Sequence, residues 1–199
     1  MVITNSEYYL LNIGGGLEHH DPNFDLDWAL WLDEPIDMPE QPIDLYVRPP
    51  ISMFSMGDYL GLFGGIKYVV SERIKSVIVG MQTIKMQFLP ACIHKGKKDY
   101  DSYFILKCYN EILCMDKTNS FWTKSSNINR EKEVLSIEKL VIDDAQIKDI
   151  PVSERLIFRV KECTPYILFH TSIVEEFRKL KKLKGHNFVL VPDNRYLYL

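Results

Sequence analysis

What this 199-residue sequence does not contain narrows the field first. No apolar run approaches ~18 residues, so no segment reads as a membrane-spanning helix. The opening MVITNSEYYLLN has neither a basic n-region nor a small-residue cleavage site, so no secretory leader is expected. Only four cysteines occur, Cys92, Cys108, Cys114 and Cys163, scattered and mostly inside apolar stretches such as PACI and ILCM. That is the pattern of buried, reduced thiols in a cytoplasmic protein, not of a disulfide framework. G-x-S-x-G, H-E-x-x-H and the P-loop are all missing, and no internal repeat is visible. What remains is 46% hydrophobic and 26% charged, ordinary for a globular chain. A chain of this length can bury a core without disulfide or metal staples.

Cations are also missing from the first 47 residues, where ten acids stand: Glu7, Glu18, Asp21, Asp25, Asp27, Asp33, Glu34, Asp37, Glu40 and Asp44. The remaining residues carry 24 basic and 17 acidic side chains, a net +7 against −10 for the opening segment. The overall charge of −3 is no footprint for nucleic acid, which calls for a strongly basic domain or face. The acidic stretch reads either as a solvated surface balanced by the basic remainder or as a face that meets a basic partner. Phe24, Trp28, Trp31 and Met38 interrupt its acids, which argues against a plain disordered tail. Trp28 and Trp31, three residues apart, share one face of a helical turn. They read either as core or as aromatic anchors of an interface.

Along the chain, YYLL (8–11) reads as a strand and IGGG (13–16) as a flexible break. Residues 17–50 read as mostly irregular, punctuated by Pro35, Pro39, Pro42, Pro49 and Pro50. GDYLGLFGG (57–65) is expected to form one short helix closed by Gly64 and Gly65. IKYVV then leads into Ser71, which can cap a helix through ERIKSVIVGM. MQFLPACI, YDSYFILKC and EILCMD are β-rich, with HKGKKD as an exposed hairpin loop. KTNSFWTKSSNINREKE (117–133) reads as a long loop, and VLSIEKLVI, IKDI, RLIFRV and YILF as strands. Ser172 and Glu175 have capping-box spacing ahead of the helix SIVEEFRKLKKLKG, which Gly185 can stop. FVLV and RYLYL close with β character. Eight to ten short strands and two principal helices (about 71–81 and 172–184) make this an α+β chain with mainly antiparallel sheets and a long irregular N-terminal segment. Residues 1–48 are expected to pack, as an acidic Pro- and Trp-containing segment, on a single globular unit of 49–199.

Chemistry-bearing clusters are few. IGGGLEHH lacks the G-x-G-x-x-G pattern of a phosphate loop. His19, His20 and Asp21 could ligate a metal, but adjacent histidines diverge in regular structure and no second cluster has ligand spacing. Cys108 and Cys114 lack flanking partners, and neither His94, His170 nor His186 stands beside an evident nucleophile. Asp143 and Asp144 read as a solvated turn, and the basic run RKLKKLKG as the exposed side of an amphipathic helix. No catalytic, metal or cofactor site is expected.

YVVSERIKSVI, QFLPACI, DSYFILKCYNEILCMDKTNS, RLIFRVKE and YILFHTSIVEEFRKLKKLKG occur in the order found in a family of bacterial immunity proteins. From about Pro49 to about Pro192 the chain resembles immunity protein family eleven of the polymorphic toxin systems. The resemblance implies a non-enzymatic cytoplasmic inhibitor that binds the C-terminal toxin domain of an effector encoded beside it, in contact-dependent or type VI secretion. It implies no cofactor, no direct nucleic-acid contact and no membrane. Combined with the charge pattern, it makes Asp25, Asp27, Trp28, Trp31, Asp33, Glu34 and Asp37 the candidate partner-binding residues, facing a basic toxin surface. A small hydrolase using His170 or the His19–His20–Asp21 cluster, and a regulatory interaction protein without a toxin partner, are the alternatives.

Overall fold

A computed structural model describes residues 5–11, 15–20, 26, 34–51, 54–62, 68–124, 134–163, 166–185 and 187–191. Within them are thirteen strands: β1 Tyr8–Leu11, β2 Gly15–Glu18, β3 Ile43–Val47, β4 Tyr59–Leu62, β5 Tyr68–Ser71, β6 Met86–Lys95, β7 Lys98–Cys108, β8 Glu111–Ile112, β9 Phe121–Lys124, β10 Val134–Lys139, β11 Ile157–Val160, β12 Ile167–His170 and β13 Phe188–Leu190. Helices α1 (Glu72–Gly80), α2 (Asp144–Ile147) and α3 (Thr171–Lys179) complete the frame.

Six strands close a barrel in the order β2-β3-β6-β7-β5-β4, with β3 parallel to β6 and β4 parallel to β2. A five-stranded sheet in the order β13-β1-β12-β11-β8 lies beside it, and β9 pairs with β10 alone. Most pairings are antiparallel, as an α+β reading requires. The acidic opening segment supplies β1, which sits between β12 and β13, as well as β2 and β3 of the barrel. The long irregular stretch expected at 17–50 is therefore interrupted by a strand, IDLYV, whose buried and exposed residues alternate without fault.

Alternation also explains the apolar runs. On β5, Val69 points into the barrel with Leu17, Leu45, Leu89, Ile93 and Ile105, while Tyr68 and Val70 point outward. The outward residues meet Ile74 and Ile78 of α1, Ile173, Val174 and Phe177 of α3, and Ile167 and Phe169 of the sheet. A strand buried on both faces reads as continuous hydrophobicity, which is why YVV and FIL show no period of two. Phe177, Phe169, Phe188 and Tyr59 form one ring network, with centroids 5.6 to 6.4 Å apart. Each such buried ring contributes about 2–3 kcal/mol of burial. The sheet's other face, through Tyr8, Leu10, Phe158 and Leu168, covers a third cluster with Ile137, Leu140 and Ile147.

Three local expectations change. GDYLGLFGG is strand β4 as far as it is described, because Leu60 and Leu62 fill the barrel while Tyr59 joins the ring network. IKDI is not a strand: Asp143 accepts a hydrogen bond from the Ala145 amide at 2.9 Å and starts α2. FWTK, expected in a loop, is β9. RYLYL and His186 lie outside the described residues.

Buried Asp58 ties the barrel to the start of α1 and to the loop that follows α3. Its carbonyl accepts from the Ser71 amide at 2.9 Å, and its amide donates to the Lys184 carbonyl at 2.9 Å. Its carboxylate accepts from the Ser71 hydroxyl (2.9 Å), the Lys184 amide (3.1 Å) and the Arg73 guanidinium (3.4 Å). Ser71 thus stands at the N-cap of α1 but spends its hydroxyl on Asp58. Helix α3 ends at Lys179 rather than 184, and Gly185 serves a different purpose from stopping it. Its φ is +79°, and a Cβ there would sit 2.3 Å from the Tyr59 carbonyl oxygen, so only glycine lets this loop close on β4. Asp58→Ala strands the amide of Lys184 and the Ser71 hydroxyl, and is expected to lower unfolding free energy by about 2–3 kcal/mol in denaturant titration. A loss below about 0.5 kcal/mol would show that the joint is not structural.

Candidate functional site

The helices and second sheet cover only part of the barrel. Along the β6–β7 hairpin, Met86, Phe88, Phe104 and Leu106 face outward into the covered layer. Nearer the turn at Gly96 and Lys97, the outward positions become Cys92, His94, Asp99 and Asp101, with no apolar layer over them among the described residues. Parallel β3 lies alongside, pairing Asp44 with Cys92 and Tyr46 with His94. Since Ile43, Leu45 and Val47 fill the barrel, Asp44 and Tyr46 must point to solvent beside the outward residues of β6.

These side chains form a connected patch. His94 places Nε2 2.9 Å from an Asp44 carboxylate oxygen and Nδ1 2.8 Å from one of Asp99. An imidazole with a carboxylate at each nitrogen satisfies both only as the imidazolium. The two hydrogen bonds to Asp44 and Asp99 accordingly hold its pKa above the ordinary value, against a smaller opposing effect of burial. Tyr46 stacks on the His94 ring at 4.9 Å and also meets the His20 ring, tilted, at 5.3 Å. Tyr46 is 38% exposed, a large aromatic surface in a charged setting. Glu18, which pairs in register with Tyr46, contacts His20 at 3.2 Å and Arg48 at 3.6 Å. Cys92 is half-buried rather than buried, and its thiol is pushed up by desolvation and by Asp99, Asp44 and Asp101.

Of the candidate partner-binding residues, Asp25, Asp27, Trp28, Trp31 and Asp33 lie outside the described residues. Glu34 and Asp37 are exposed, on a strap that leads into β3. Gln87 of β6 pins that strap by accepting from the Ile36 amide (3.1 Å) and donating to its carbonyl (2.6 Å). From this anchor the chain follows β6, so exposed Asp37, Glu40 and Asp44 succeed one another toward the His94 patch. The structure thus places Glu34 and Asp37 on the strap beside β6, and brings Asp44 and Asp99 together on His94. His94 and Cys92 carried one legible signal, the alternation in ACIHK, but their register with Asp44 is a long-range fact.

His170 and Ser172 also come together, with Nδ1 2.9 Å from the Ser172 hydroxyl oxygen and Nε2 4.0 Å from Glu7. The same Nδ1 accepts the Ser172 amide at 3.2 Å, so His170, not Ser172, caps α3. The lone pair that a catalytic base would use is engaged by the helix N-terminus. Burial holds the His170 pKa below its ordinary value, with Glu7 and Glu175 opposing that effect and Arg155 adding to it. A neutral cap favoured by the fold stabilises fully above the unfolded pKa of about 6.5 and loses that contribution as pH falls through it. The His170 contribution to unfolding free energy is expected to decline below about pH 6.5, opposite in sign to that of His94, so His170→Asn, which can still cap, is expected to raise stability at low pH relative to neutral pH against the native chain. An unchanged pH profile in the variant would contradict the assignment.

Among the described residues, no helix is long and apolar enough to cross a membrane. Comparison with curated proteins returns no match. The sequence profile described as Immunity protein family (Imm11) matches residues 2–192, across the barrel, the sheet and both long helices, and the chain belongs to that family.

Proposed function

We propose that this chain is the cytoplasmic immunity partner of an antibacterial toxin domain encoded beside it, and that it neutralises the toxin by binding, without catalysis. Its contact surface is the acidic outer face of the barrel together with the segment that precedes it, including Asp25, Asp27, Trp28, Trp31, Asp33, Glu34 and Asp37. The observation that supports this reading is the grouping of Asp44 and Asp99 on His94 beside the exposed ring of Tyr46, with exposed Glu34, Asp37 and Glu40 on the strap that leads into β3.

Such a surface suits a toxin whose functional cleft is basic, as clefts that handle phosphates are. Complementary charge raises the rate of encounter and rejects wrong partners more than it adds affinity. A rigid β-face presents its charges without an ordering cost on binding. The inner residues of the same strands, Leu45, Ile93 and Ile105, belong to the barrel core, so recognition residues can vary without disturbing the fold.

The test pairs this chain with the toxin domain encoded beside it. Glu34→Gln, Asp37→Asn, Glu40→Gln and Asp101→Asn together neutralise the face while leaving the His94 contacts intact. Stopped-flow association is expected to slow by about tenfold or more at low salt, with a weaker salt dependence and circular dichroism unchanged. Association that ignores both salt and the four substitutions would refute the acidic-face reading, and the absence of any complex would refute the immunity pairing itself.

A further inference from the structure

The outward side chains of β3 and β6 bring three different metal-ligating groups to one point, independently of any partner. Asp44 lies directly across from Cys92 in the parallel register, and His94 is two residues further along the same face. A carboxylate oxygen of Asp44, the Cys92 sulfur and a ring nitrogen of His94 all lie within 4.8 Å of one another. We propose that Asp44, Cys92 and His94 form a zinc site on the outer face of the barrel, with Asp99 as the residue that orients His94.

The donor set is what selects the ion. One thiolate, one imidazole and one carboxylate suit zinc, whereas magnesium and calcium take oxygen ligands alone. Zinc bonds of ~2.0–2.3 Å hold tetrahedral ligand atoms ~3.2–3.7 Å apart. Closing the trio to that spacing takes about an ångström of side-chain movement at a solvent-facing site. Three protein ligands leave a fourth position for water or for a group from another molecule.

The surroundings are those a metal-bound histidine needs. Binding of the ion displaces the Nε2 proton that the imidazolium gives to Asp44, and Nδ1 is left to donate to the Asp99 carboxylate, 2.8 Å away. That carboxylate–histidine–metal arrangement fixes the tautomer and the ring plane. The stacked Tyr46 ring restrains the same plane from the side. The other three cysteines are buried in the cores, so Cys92 is the thiol available to an incoming ion among them.

The untagged full chain is titrated with Co²⁺ as the spectroscopic reporter, followed by Zn²⁺ in competition. One equivalent of Co²⁺ is expected to produce a near-ultraviolet thiolate-to-cobalt charge-transfer band with tetrahedral d–d absorption, both abolished by Zn²⁺. Cys92→Ser removes the charge-transfer band, and Asp44→Asn and His94→Gln weaken binding severely. Asp99→Asn keeps the spectrum but loses about 10–100-fold in affinity, the signature of a positioning residue. Circular dichroism of each variant shows that the fold persists, and the wild-type spectrum decides the matter even if a variant unfolds. No charge-transfer band in the folded wild-type chain would overturn the proposal. So would a band that survives Cys92→Ser, or binding lost on replacing His20 but not His94.

Discussion

The aromatic layer between barrel and sheet is the constraint on which the rest depends. Tyr59 and Tyr68 come from the barrel, Phe169 and Phe188 from the sheet and Phe177 from α3, and none of these elements could bury that face alone. Tyr68 reinforces the joint by donating its hydroxyl to the Leu11 carbonyl at 3.0 Å, which links β5 directly to β1. Asn110 does the same where the chain leaves β7. It donates to the carbonyls of Glu154 and Ile157 while its own carbonyl accepts the Arg159 amide at 2.7 Å. Buried polar groups placed this way are satisfied across the boundary between the two sheets, so the boundary is specified as well as filled.

That layer also decides which outward residues of the barrel are apolar. Outward residues of the hairpin that face α1 and α3 are apolar because they are covered. Those nearer its turn are polar or charged and carry no apolar layer among the described residues, and β3 continues the same side. The acidic patch is thus the complement of the aromatic layer on one barrel. Its histidine, thiol and tyrosine are held by strands whose other faces are core, which gives them the rigid support that binding and metal sites need.

Much of this was readable beforehand where a local rule acts alone. Helices α1 and α3 announce themselves by period, and the β6–β7 hairpin by its Gly-Lys turn between β-rich runs. The errors fall where tertiary context overrides local signal. The closely spaced glycines of GDYLGLFGG suggest a helix and its stop, yet Gly61 is a strand residue and two of its neighbours line the barrel. IKDI looks β-branched enough for a strand until Asp143 caps a turn of helix. IDLYV was hidden by the prolines on either side of it. The acidity of the opening segment was plain, but its junction with His94 depends on a parallel pairing that sets Asp44 opposite Cys92, and so within reach of a histidine 50 residues on. No single-sequence pattern encodes that register.

The chain belongs to an immunity protein family, and the acidic face of its barrel is the recognition surface proposed for it. Hydrogen–deuterium exchange of the chain alone and in complex with the adjacent toxin domain tests that link most directly. The account predicts new protection concentrated in residues 34–46 and 92–101, with little change along β9, where exposed Phe121 offers an apolar alternative. Protection centred on β9 and Leu113, with residues 34–46 and 92–101 unaffected, would contradict it.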